Sequence, residues 1–464
     1  MILSERIEVS RLKTGREELF TTTPVMKAVL SLAVPTVISQ IITVIYNMAD
    51  TFFIGRMNDP AQVAAAQLAM PVFIFMTAFS GLLGIGGSSV ISRSLGAGDR
   101  DRAKQCASFC INTGIVVALL YGFLIYIFRA AIFPVLGADG RTWAYLEKYV
   151  FWTVAVGALP TILNTLLAYL IRSEGYSKQA SFGVAMGGIL NMILDPIFIF
   201  ALHLQIKGAA IATMLSNVAA CGYFFVFLYR IRQDTTITPD PKYCSGKNGI
   251  AREVVTVGLP SSIMTLMSTL SNTTLNHLIA SYSTEAIAGM GIAKKIDLLA
   301  LAIAGGMTQG TLPLIGYNYS SGDRKRMTDA IRALAILSIG IALAGTALLL
   351  VGSGVITKLF IDDALTVHYG ARYLRIICLA CTTTTLNFMI ITIFQAAGKK
   401  TQPMILSFLR KGILDIPLML LLNALRGVEA IPWATPIADT MALIIACLMF
   451  FPFLKKIQNN TKKV

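Results

Sequence analysis

Long apolar blocks alternate with short polar turns along the whole chain. Stretches such as Ala107–Phe128 and Ile331–Val351 are long enough to cross a bilayer as helices, which takes about 20 residues. They lack the strict alternation of lipid-facing strands, which excludes a β-barrel. The pattern predicts helices near residues 25–49, 61–90, 105–128, 143–171, 179–202 and 208–230. A second set is predicted near 251–279, 284–315, 328–352, 369–395, 402–424 and 431–454. Polar tails at 1–24 and 456–464 flank them, and 233–250, with Pro239, Asp240, Pro241, Lys242 and Lys247, reads as a linker. The expected fold is an all-α polytopic membrane protein of twelve helices in two six-helix bundles, 25–232 and 251–455.

The polar turns set an orientation. With twelve spans, the tails and the loops after even-numbered helices share one side. Of the 39 Lys and Arg, 26 fall there, nine in the opposite loops and four inside spans. The positive-inside rule therefore predicts two cytoplasmic termini in the plasma (inner) membrane. The first 24 residues lack the short apolar core and cleavage site of a signal peptide, so the first span is expected to act as an uncleaved insertion signal.

Composition narrows the class. The chain is 55% hydrophobic and 14% charged, against roughly 25% charged in soluble domains. A net charge of +15 does not point to nucleic acid, because the basic residues sit in scattered short loops without interleaved aromatics. Cys378 and Cys381 form a CxxC inside an apolar span with no second pair, so they read as packing residues. With no nucleotide or catalytic motif apparent, neither an enzyme nor an ATP-driven pump is expected, and no cofactor is called for.

The two halves can be superposed as sequences. Ala33-Val34-Pro35 answers Gly258-Leu259-Pro260 and Asn47 answers Asn272, at a spacing of 225. Gly98-Asp99-Arg100 answers Gly322-Asp323-Arg324 at 224, and Gly175 answers Gly398 at 223. Leu194-Asp195-Pro196 resembles Leu414-Asp415-Ile416-Pro417 with one residue inserted. Six spans per copy give the copies one orientation, the build of transporters that alternate access around a site between or within the halves.

A charge at mid-bilayer costs at least ~2.5–3.5 kcal/mol, so the spans' charged residues carry information: Asp50, Asp195, Lys294, Lys295, Asp297, Asp415 and Asp439. Asp195 has apolar neighbours on both sides, Asn191 one turn earlier on the same face, and Pro196 next to it to kink the helix and free carbonyls. Hydrocarbon penalises a bare carboxylate, so Asp195 is a candidate proton carrier, and its oxygen-rich surroundings also suit a hard cation. Asp50 ends the first span, where an interfacial acid is equally expected. Lys294 and Asp297 are expected to neutralise one another, as a structural pair or a coupling switch. Arg410 and Lys411 are expected to snorkel to the cytoplasmic surface. Asp415 and Asp439 are open candidates for a second site.

The chain resembles the multidrug and toxic compound extrusion (MATE) family from about Met26 to Lys456. The resemblance rests on Pro35…Asp50-Thr51…Gly55, the Gly-Ala-Gly-Asp99 loop and its Ser-Gly-Asp323 echo, Asn191-x-x-x-Asp195-Pro196, and Trp433-Ala-Thr-Pro-Ile-Ala-Asp439. It implies export of small organic compounds, often cationic, by antiport with H+ or Na+. The family's N-lobe cation site then falls on Asp50, Asn191, Asp195 and Thr213, which are also the residues for any bound Na+. A C-lobe Na+ site found in some members would fall on Ser268 and on Thr385 or Leu386, so it is expected to be missing. Lipid is the surrounding partner, and a monomer is expected. A flippase of lipid-linked saccharides is the alternative within the same superfamily; it calls for a more cationic cavity. A passive channel would transport without an ion gradient.

Overall fold

The computed structural model describes residues 17–244 and 249–461. Most of the polar N-terminal tail, Lys247 of the expected linker and the last residues of the C-terminal tail lie outside these. Twelve long helical rods follow one another among the described residues, with a short helix, Arg129–Leu136, between the third and fourth and no strand. In the first half they are α1 (Val25–Gly55), α2 (Pro60–Gly96), α3 (Arg100–Ile127), α4 (Trp143–Val156 and Ala158–Ser173), α5 (Ser177–Ala201) and α6 (Gln205–Arg230). In the second they are α7 (Ile250–Ala280), α8 (Thr284–Ser321), α9 (Arg324–Lys358), α10 (Ala364–Cys378 and Ala380–Ala396), α11 (401–426) and α12 (Ala434–Thr461).

Eight rods are continuous and apolar enough to cross a membrane, and the bent α4 and α10 qualify when each is taken as one span. The remaining two, α8 and α11, carry Lys294, Lys295 and Asp297, and Arg410, Lys411 and Asp415. The twelve-helix expectation holds. Both fifth helices contain a π-helical stretch, Ile197–Ala201 in α5 and Leu409–Asp415 in α11, a distortion that frees backbone groups and recurs at functional sites.

The repeat reappears as matched local structure. Gly98 and Gly322 take φ values of +79° and +84°, which end α2 and α8 at little steric cost. Asp99 and Asp323 then cap α3 and α9, accepting from the Arg102 and Arg326 backbone N–H at 2.8 and 2.9 Å.

The chain forms two compact units, and the division runs through α1 and α7. One unit contains Ile38–Gly258; the other contains Pro24–Val37 and the chain from Leu259 onward. The ranges expected from sequence put each of these helices whole into one half. Glycines accommodate the actual arrangement. In the first unit a Cβ on Gly86 would lie 2.1 Å from the Val254 carbonyl oxygen; in the second, a Cβ on Gly310 would lie 2.7 Å from that of Leu32. Backbones this close leave no room for a side chain.

The stretch after α6 is a strap bound to the first unit. Buried Glu174 accepts from the Thr235 hydroxyl and from the Thr236 N–H and hydroxyl at 2.7, 2.6 and 2.6 Å. Arg100 donates to the Asp234 carbonyl, and Ser108 and Asn112 donate to those of Asp240 and Pro239. Lys242, hydrogen-bonded to Asp240, holds its carboxyl below the usual range.

Candidate functional site

In the first unit, α5 and α6 bring three expected residues together. The Asn191 amide nitrogen donates to Asp195 Oδ1 at 3.2 Å and to Thr213 Oγ1 at 3.4 Å. Asp195 is fully buried and Asn191 nearly so. Asp50, near the end of α1, is close enough for its charge to act on Asp195. With both amide hydrogens used, what remains is acceptors. Asp50 Oδ1, Asn191 Oδ1 and Asp195 Oδ2 are buried and have no hydrogen-bond partner.

Orphaned buried polar atoms are rare and costly. Here they are all oxygens, and two belong to carboxylates that repel each other. A proton or a small hard cation answers both deficits, since it brings positive charge and bonds to oxygen. Among the described residues no cluster of His, Cys, Asp and Glu has the makings of a transition-metal site.

Four further polar residues border this site. Tyr149 on α4 lies where the charges of Asp50 and Asp195 both act on it, and Tyr46 on α1 is beside Asp50. Asn164 on α4 donates to Asn217 on α6 at 2.8 Å, and Asn217 donates to the Thr213 carbonyl at 2.9 Å. Asn164 Oδ1 is another buried oxygen with no hydrogen-bond partner. An amide in an apolar span was a legible signal for Asn164; the tyrosines look like ordinary interfacial aromatics in sequence.

The second unit places its charges differently. Arg410 and Lys411 are buried, so the expected snorkelling does not occur. Each finds an acid instead. Arg410 donates to Asp439 through Nε at 2.6 Å and a terminal nitrogen at 3.0 Å. Thr384 also donates to Asp439, and Asn387 to the Asp439 carbonyl. Lys411 Nζ lies 2.9 Å from Asp415 Oδ2, which also accepts from Ser271 at 2.6 Å; Thr435 donates to Oδ1 at 3.2 Å. On α8, Lys294 and half-buried Asp297 stand 3.6 Å apart, the expected pairing.

Comparison with known proteins fixes the family. The chain matches MatE twice, over residues 35–197 and 260–421. It belongs to the MatE family. Among its relatives, the multidrug export protein MepA of Staphylococcus aureus (strain MRSA252) is 29% identical over 96% of this chain and 98% of its own length. MepA of Staphylococcus haemolyticus (strain JCSC1435) is 29% identical over 93% and 94%. The solved outward-facing structure of a multidrug resistance MATE family transporter of the MOP superfamily superposes with TM-score 0.87, at 25% identity, over 95% of this chain and 98% of that one. A structure of MATE in complex with MaL6 shares the fold, with TM-score 0.89 over 95% and 99% at 24% identity. The chain is thus a multi-pass membrane transporter and not an enzyme.

The two MatE matches also set the register of the repeat. They begin 225 residues apart and end 224 apart, and α5 and α11 begin at Ser177 and Thr401, again 224 apart. Asp415 therefore stands opposite Asn191, one helical turn from the match to Asp195 expected from sequence. The prolines misled: Pro196 precedes the π-stretch of α5, whereas Pro417 follows that of α11.

Proposed function

We propose that this MatE transporter exports small organic compounds, often cationic, in exchange for H+ or Na+ taken up at Asp50, Asn191, Asp195 and Thr213. The observation that carries the reading is the set of buried, partnerless oxygens on Asp50, Asn191 and Asp195, in a cluster that holds two acids and no base. The names of the staphylococcal relatives support the substrate class and the direction of transport. The chain works as a monomer in the plasma membrane, surrounded by lipid, with both termini cytoplasmic, as the loop charges favour.

The coupling follows from electrostatics. Empty, the cluster holds two carboxylates in a poorly polarisable setting. A cation arriving from outside screens their repulsion and draws α1, α5 and α6 together. The conformation that binds the cation better gains population by that difference in affinity. The π-stretch after Pro196 is the distorted segment through which α5 bends. A saccharide-lipid flippase would call for a chamber with free cations; Arg410 and Lys411 are instead each matched to an acid.

Fluorescent-drug efflux in everted vesicles, energised separately by a pH gradient and by a Na+ gradient, tests the proposal. One gradient is expected to drive transport. The Asp195→Asn protein is expected to reach the membrane in normal amount and to transport at background. Full gradient-driven transport by Asp195→Asn overturns the site assignment.

A further inference from the structure

We propose that the second unit holds the counterpart of the cation site with its cation built in: the Lys411 ammonium occupies the position at Asp415, confining cation exchange to the first unit. The inference rests on the reading of Asp50, Asn191 and Asp195 as a cation site.

The helices that supply the two clusters correspond. In the first unit the groups come from the first, fifth and sixth helices. In the second unit Asp415 is met by Ser271 of α7, Lys411 of α11 and Thr435 of α12, the first, fifth and sixth helices of that half. Asp415 itself stands in register with Asn191.

What differs is saturation. Three oxygens of the first cluster lack partners, whereas both oxygens of Asp415 and both of Asp439 accept hydrogen bonds. Charge balances as well, with Arg410 and Lys411 against Asp439 and Asp415. Lys411 acts electrostatically on Asp439 too, and Asp415 and Asp297 act on Arg410. Asp297 in turn is paired with Lys294. A free cation approaching Asp415 has to displace an ammonium that is covalently attached one helical turn away, at very high effective concentration. The pair sits four residues apart in the same helix, the spacing of Asn191 and Asp195, although one turn earlier in the register of the repeat.

Removing the ammonium opens the position. The full-length protein carrying Asp195→Asn, which silences the first cluster, serves as the parent. Thermal unfolding in detergent is followed in NaCl against choline chloride at equal ionic strength, and over a pH series. Lys411→Asn added to this parent is expected to lower the melting temperature and to make it rise with Na+ or with acidification, by on the order of a few degrees. Adding Asp415→Asn as well is expected to abolish that response. A Lys411→Asn protein no more responsive than its parent overturns the proposal.

If Lys411→Asn does not fold, the converse change decides. Asn191→Lys, in a chain with Asp195 intact, is expected to give a folded protein whose melting loses the Na+ response and the first cluster's share of the pH response. A response equal to that of the unaltered protein overturns the proposal, because a lysine one turn before the acid would then not close the site. Failure of the first-unit reading is recognised separately, as gradient-driven efflux that survives Asp195→Asn alone.

Discussion

Single residues decide which charges are free to exchange. Arg410 illustrates a committed one, with its guanidinium on Asp439 and over the Phe388 ring at 4.9 Å. Removing one partner of a buried pair strands the other charge, at a cost of about 3–5 kcal/mol, whereas replacing both by apolar groups is often neutral. Arg410→Met is therefore expected to destabilise the protein strongly, and Arg410→Met/Asp439→Leu to recover most of the loss, as read by thermal unfolding in detergent. Outside the membrane, Asp139 accepts from the Thr142 hydroxyl at 2.7 Å and from the Thr142 and Arg141 N–H groups at 2.9 and 3.1 Å. The Thr142 hydroxyl bond, foremost, holds its carboxyl below the ordinary range. A depressed folded-state value means that this contribution to stability is complete above the unfolded value of about 3.9 and is lost as pH falls through the folded one. Asp139→Asn is expected to flatten the acid limb of the stability–pH curve by lowering stability at neutral pH, while leaving stability at low pH little changed.

At the scale of elements, close backbone contact is the feature most exposed to test. A Cβ on Gly310 would lie 2.7 Å from the Leu32 carbonyl and 2.9 Å from Ala33 Cα, whereas one on Gly340 meets nothing within 4 Å. Gly310→Ala is expected to cost about 1–3 kcal/mol through overpacking, and Gly340→Ala to be neutral or stabilising by up to ~1 kcal/mol; paired unfolding curves separate them. The helices themselves were legible because apolar blocks of the right length leave the chain little choice in a bilayer. Asp195 was legible for the same reason in reverse, as an acid where hydrocarbon is expected. The fate of Arg410 and Lys411 was not. Sequence gives a charge's distance from the helix end but not its facing, and the partner of Arg410 lies 29 residues away on α12. Nor does the apolar pattern reveal where a helix relaxes into a π-stretch, which is why the two proline motifs were matched one turn out of register. The strap at 234–244 read as a free linker because its anchor is Glu174, an acid at a helix end that in sequence looks solvated.

For the whole transporter, the difference between the two units bears on how membrane potential enters the cycle. If the second unit's charges are permanently matched, the only net charge moved by the protein is the cation carried at Asp50 and Asp195, plus whatever the substrate carries. Inward movement of one cation across 100 mV releases about 2.3 kcal/mol. Export of a neutral compound against one cation is then electrogenic. Export of a monovalent organic cation returns the same charge and is electrically silent. In proteoliposomes with the potential clamped by a K+ gradient and valinomycin, drug movement coupled to the ion gradient is expected to quicken with an inside-negative potential for neutral substrates. For monovalent cationic substrates, no dependence on potential is expected. Potential dependence for both classes, in the same sense and larger for neutral substrates, would mean that more than one cation moves per cycle, and Asp415 or Asp297 would then be the acid to neutralise next.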